Sequence, residues 1–119
     1  MAQATKPKLN TRIINHYLDR LSREIRIDGV LLFGSYAWGK PNKHSDIDLA
    51  IISPDFAKQD YSSRIGWLHQ QRDRETFKLA MDIFGYTPEE FASMENFSAT
   101  MAKAKKDGIW LRPMRAAKT

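Results

Sequence analysis

Four apolar residues in a row, Val30-Leu31-Leu32-Phe33, stand between two glycines, Gly29 and Gly34. The run has no polar position and so no face to turn toward water. It predicts a strand buried on both faces, which requires other elements packed on each side of its sheet. The rest of the chain supplies them. Ile14, Leu18, Leu21 and Ile25 follow Thr11 at helical spacing, which predicts an amphipathic helix from about Arg12 to Arg26 capped by Thr11. A second strand is expected over Asp46 to Ile52, ended by Pro54. Asp60 is placed to cap a helix over Tyr61 to Arg74, weakened by Gly66. Phe77 to Gly85 reads as a third strand.

Thr87-Pro88-Glu89-Glu90 has the form of a capping box with proline in the first helical position, opening a short helix to about Glu95. Asn96 or Ser98 then caps a last helix that Gly108 ends, and Ile109-Trp110-Leu111 is expected as a small edge strand stopped by Pro113. Helices and strands alternate. The expected class is therefore α/β (α+β), with a small mixed sheet flanked by helices. With 119 residues, 42% hydrophobic and 28% charged, the chain is too apolar for disorder and is expected to form one domain over 1–119. There is no cysteine, which excludes a disulfide scaffold, a thiol nucleophile and a cysteine-based zinc site.

Chemistry concentrates around the first strand. Gly34 ends it and Ser35 begins a turn bracketed by Gly39. A glycine there allows positive φ and close approach of a phosphate, and Ser35 adds a hydroxyl and an N–H at the start of a helical turn. Ten residues further on comes Asp46-Ile47-Asp48. On a strand both carboxylates would share a face, with Ile47, Leu49 and Ile51 on the other. Paired carboxylates repel unless a cation sits between them or water solvates both. Asp82 interrupts the apolar segment Leu79 to Phe84, sharing a face with Phe84 while Leu79, Met81 and Ile83 share the other. A salt bridge or a metal would each account for a carboxylate in that position.

The segment Leu31 to Ile52, an apolar strand, Gly-Ser, a ten-residue spacer and Asp-x-Asp, resembles the nucleotidyltransferase superfamily of DNA polymerase β and kanamycin nucleotidyltransferase. The size is similar to the minimal nucleotidyltransferases, the catalytic domain with almost nothing added. The resemblance implies the polymerase-β-type fold, with Asp82 on a strand beside that of Asp48. It implies an enzyme: transfer of AMP from ATP, dependent on Mg²⁺ with two ions, to a tyrosine of a small helical HEPN toxin, for which this chain would be the antitoxin in a hetero-oligomer. In that reading Gly34 and Ser35 hold the terminal phosphates. Asp46, Asp48 and Asp82 are catalytic and ligate the metals, and Asp82 helps to deprotonate the acceptor.

Many members of that superfamily carry arginine two or four positions after the Gly-Ser glycine, where this chain has Tyr36 and Trp38. Lys40 and Lys43 are the candidates to replace that charge at the nucleotide. Trp38 is open to stacking on a base, facing a partner or filling the core, and His44 to touching a phosphate or a metal-bound water. His16 and His69 read as surface or interfacial. The alternative function is a non-catalytic module of the same fold that binds nucleotide or partner.

Charge separates the remaining possibilities. The formal net charge is +5, and the surplus lies at the ends, in Lys6, Lys8 and Arg12 and in Lys103 through Lys118. Residues 1–10 and 113–119 are expected as flexible basic tails. Nucleic acid is disfavoured as a partner because no aromatics interleave with the basic residues. A polymerase is disfavoured because nothing is left to grip a template, and an antibiotic transferase because those usually add a helical substrate domain. No run approaches a membrane span and the N-terminal residues lack the apolar block of a signal peptide, so a cytoplasmic protein without membrane contact is expected.

Overall fold

Strand β1, Gly29–Phe33, is buried at every position in the computed structural model, which describes residues 8–115. Its neighbours are β2, Ile47–Ile52, and β4, Ile109–Arg112, both antiparallel to it. β3, Met81–Tyr86, runs parallel to β2, so the mixed sheet has the order β3-β2-β1-β4. The expected edge strand is therefore present.

Each face of the sheet has its own core. On one face Val30, Leu32, Ile47, Leu49, Ile51, Met81 and Ile83 meet Ile14, Tyr17, Leu18 and Leu21 of α1, Thr11–Ser22, and Leu68 of α3, Tyr61–Gln70. On the other face Leu31, Phe33, Ala50, Ile52 and Tyr86 meet Phe91 of α4, Pro88–Ser93, and Met101 and Ala104 of α5, Ala99–Asp107. The single turn α2, Ser35–Trp38, follows β1 directly.

The boundaries differ from the sequence expectation where capping and packing compete. Asn10, not Thr11, caps α1, its carboxamide oxygen accepting from Ile13 N–H. That helix stops at Ser22 because Arg23 and Glu24 close the last turn with 3₁₀-type bonds to Arg20 O and Leu21 O, leaving Ile25 to pack against the core from the connecting segment. α3 stops at Gln70, short of Arg74, because Asp73 and Thr76 form a reciprocal turn instead. β3 begins at Met81 rather than Phe77. Thr76–Lys78 is a 3₁₀ turn, and Phe77 stands 62% exposed under the Arg72 guanidinium.

The capping box is realised in both directions between Thr87 and Glu90, Asp60 caps α3, and Ser98 rather than Asn96 caps α5. Gly108 ends α5 in an extended conformation. It is required there for space, since a Cβ would lie 2.4 Å from Ala104 O and 2.9 Å from Leu32 O. Of the expected tails, residues 1–7 and 116–119 lie outside the described residues. Asn10 is the α1 cap, and Arg115 N–H donates to Asp28 O at 2.8 Å. Among the described residues no helix is long and apolar enough to cross a membrane.

Candidate active site

The sheet register sets the site. Phe33 pairs with Asp48 across β1–β2, and Asp48 pairs with Asp82 across β2–β3. The three residues therefore form one row across the sheet on the α4–α5 face, at the end where β1 leaves for α2. Asp82 is exposed and Asp48 half-buried. Neither makes an ion pair with a described residue, so the salt-bridge explanation for Asp82 falls away.

Asp46 departs from the expectation. It lies one residue before β2 and is exposed. The reason is local: pairing of the segment with β3 begins at Ile47, whose N–H donates to Ala80 O at 2.9 Å. Asp46 is nonetheless close enough to act on its neighbour. The Asp48 carboxyl is pushed up from the ordinary 3.8 to about 6, first by burial, then by the charges of Asp82 and Asp46.

Gly34 explains how Asp48 fits. It has φ +76°, the one left-handed backbone among the described residues, and a Cβ there would stand 2.1 Å from Asp48 Oδ2. Only glycine accommodates both the turn and the carboxylate. The turn that follows is short. Ala37 and Trp38 N–H donate to Gly34 O, and the amides that open such a turn have no partner within it. Ser35 is half-buried beside them, packed close enough to Gly39 that a Cβ on Gly39 would meet Ser35 Cα at 2.9 Å.

The loop from Lys40 to Ser45 is folded on itself by Asn42 and Ser45. It leaves Lys40 and Lys43 exposed without a described ion-pair partner, and it leaves His44 exposed. Trp38 packs against the second core with the Lys103 ammonium 5.0 Å from its ring centre, and Tyr36 packs against the first. Both are half-buried. Trp38 therefore fills the edge of the core, one of its three sequence readings. His16, on α1 over the opposite face of the sheet, is tied to Asp73 at 2.7 Å, and His69 is half-buried in the last turn of α3.

Among the described residues no group of three His, Cys, Asp or Glu side chains is arranged as a ready-made metal cage. The donors fit a hard divalent cation in kind. They are carboxylate oxygens, and the raised Asp48 carboxyl marks a negative charge that its surroundings leave uncompensated.

Two features escaped sequence reasoning. A cleft of ≈ 230 Å³ opens beside the carboxylate row, lined by Phe33, Phe84, Tyr86, Ser98, Thr100 and Met101. Its only sequence signal was the shared face of Asp82 and Phe84; the closing wall comes from α5. The other is Arg64, which the sequence offers as one more helix cation. Its side chain is buried, donating to Phe56 O, Gln59 O and Gly85 O and to both oxygens of Glu90.

A two-sided mixed sheet with Gly-Ser at one strand end and paired aspartates on the next two strands defines a nucleotidyl-transfer fold. The chain belongs to the nucleotidyltransferase domain family, whose model matches residues 14–110. Two solved structures share the fold. One is a Sulfolobus solfataricus protein provisionally assigned as a nucleotidyltransferase, with TM-score 0.58 and 15% identity over 83% of this chain and 76% of that one. The other is a toxin–antitoxin with AMP-PNP, with TM-score 0.58 and 21% identity over 90% of this chain and 76% of that one. No curated protein matches the chain.

Proposed function

We propose that the protein transfers AMP from ATP to a hydroxyl of a protein partner, a tyrosine of a HEPN-type toxin, and acts as the antitoxin in a hetero-oligomer. The observation that carries this is the register pairing of Asp48 with Asp82 beside the Gly34 turn. The toxin–antitoxin of like fold, with its AMP-PNP, supports the choice of nucleotide and partner.

In this reading the Ser35 hydroxyl and the free amides at the start of α2 receive the terminal phosphates, with Lys40 and Lys43 able to swing in from the loop. The acceptor oxygen attacks the α-phosphorus in line. A new O–P ester bond forms, the bond from the α-phosphorus to the bridging oxygen breaks, and pyrophosphate leaves with that electron pair. Asp82, open to the acceptor side, takes the hydroxyl proton. Asp46, Asp48 and Asp82 would hold Mg²⁺, which supplies charge neutralisation at the phosphates and polarises the reacting oxygens. Most of the rate then comes from positioning and electrostatics.

The test is label transfer. ATP labelled at the α-phosphate is incubated with Mg²⁺ and this protein, alone and with the protein encoded beside it, using Asp46→Ala/Asp48→Ala as control. Label on the neighbour that vanishes in the control supports the proposal. A stable complex without label, formed equally by wild type and control, supports instead a non-catalytic binding module. One observation favours that second reading: the side chains at the usual arginine positions, Tyr36 and Trp38, are half-buried and packed against the two cores.

A further inference from the structure

The α4–α5 face of the sheet is built in rows. The first is Phe33–Asp48–Asp82, the next Leu31–Ala50–Phe84 and the third Gly29–Ile52–Tyr86. Successive rows lie about 7 Å apart, two residues along each strand. The middle row has alanine at its centre, and the Phe33 and Phe84 rings stand 5.9 Å apart around that position. α5 bounds the depression with Met101 and Thr100, and the result is the ≈ 230 Å³ cleft. The cleft thus reaches the row of the paired carboxylates at Phe33 and extends from there over the next two rows.

Its contents are informative. The lining is largely aromatic and apolar, with three hydroxyl-bearing residues, Tyr86, Ser98 and Thr100, and no charged side chain. It is smaller than the roughly 300–1,000 Å³ clefts that enclose drug-sized ligands, so one flat ring suits it better than a whole nucleoside. Phe97, next to the lining residue Ser98, is 81% exposed. A protein partner seated at the mouth of the cleft would cover that ring.

We propose that this cleft is the acceptor subsite, taking the ring of a tyrosine presented by a protein partner so that its hydroxyl stands at the Asp48–Asp82 row. The inference rests on the transfer reaction proposed above and adds where the acceptor enters and why it is aromatic. Tyrosine carries its hydroxyl at the far end of a flat apolar body. A serine or threonine hydroxyl is one carbon from the backbone and would reach the row only if the partner's main chain entered the cleft. Phe97 then forms part of the rim that the partner covers.

The experiment reads binding without chemistry. Protein carrying ¹³C-methyl methionine is titrated with N-acetyltyrosinamide, and separately with MgATP, while the Met101 methyl resonance is followed by NMR. The same titrations are run on Thr100→Trp, a substitution at an exposed α5 position that fills the cleft without disturbing the core. The expected result is a saturable Met101 shift with the tyrosine analogue that N-acetylserinamide does not produce. In Thr100→Trp its affinity falls at least about tenfold, while that for MgATP stays within about twofold.

A Met101 response to MgATP that Thr100→Trp abolishes overturns the proposal and makes the cleft a nucleobase site. A Met101 methyl indifferent to the tyrosine analogue overturns it as well. If the tyrosine response is present but no label is ever transferred to the partner, the transfer reaction fails and the cleft stands. The two readings therefore fail separately.

Discussion

Asp48 and Asp82 are register partners across the parallel pair β2–β3, and the Asp48 carboxylate occupies the space a side chain at Gly34 would need. Burial and like charge raise the folded-state Asp48 carboxyl from 3.8 to about 6. A raised carboxyl means that the native state holds the proton more tightly than the unfolded chain. Its contribution to stability is therefore complete below 3.8 and is lost as pH rises through about 6. Thermal melts between pH 4 and 8 are expected to show wild type losing ground to Asp48→Asn across that interval. Adding Mg²⁺ above pH 6 should recover part of the loss in wild type and none in Asp48→Asn.

Asp82 is exposed and pairs with no described cation. Replacing it by Asn should leave stability within about 0.5 kcal/mol, as for other surface changes. Label transfer should fall by roughly 10²–10⁴, the usual contribution of a positioned proton acceptor. A chemical-denaturation curve run beside the transfer assay separates the two effects.

Three glycines should respond differently to alanine. Gly34→Ala places a methyl 2.1 Å from Asp48 Oδ2 on a left-handed backbone, so it should cost about 1–3 kcal/mol and abolish transfer together. Gly108→Ala collides with Ala104 O and Leu32 O and should destabilise with no direct effect on the carboxylates. Gly66 lies inside α3 with nothing within 4 Å of an added methyl, so Gly66→Ala should stabilise by about 1 kcal/mol. Denaturant midpoints of the three variants check the order.

Arg64 joins the Pro54–Lys58 turn, α3, β3 and α4 through one buried guanidinium. Arg64→Ala strands three carbonyl acceptors, each worth about 1–3 kcal/mol when left unpaired, and should cost about 3 kcal/mol after relaxation. Arg64→Lys should recover little, because an ammonium cannot reproduce the planar fork. Equilibrium unfolding in urea measures both.

Much of this molecule was legible from local chemistry. The all-apolar run Val30–Phe33 demanded cover on both faces, and it has it. The Thr87–Glu90 box, the Asp60 cap and the edge strand at Ile109 are short-range events, decided by side chains reaching their own backbone or by patterning over a few residues. Gly34, Ser35 and the two aspartates of the Asp46–Asp48 motif were conspicuous by their types and spacing.

What the sequence could not contain is relative placement. The proximity of Asp82 to Asp48 comes from β3 pairing parallel to β2, across an intervening helix and turn that periodicity cannot orient. Asp46 looked equivalent to Asp48 by alternation, yet the ladder begins at Ile47 and leaves it outside, because a strand ends where its neighbour stops offering partners. Phe77 looked like strand and became an exposed turn residue because Asp73 and Thr76 satisfied the backbone there first. The cleft beside the carboxylates exists only because α5, remote in sequence, returns to cover the face on which Phe33 and Phe84 stand. Caps, buried runs and motif spacing follow from short-range energies along the chain. Strand pairing and the walls of a cleft follow from long-range burial, which depends on every element at once.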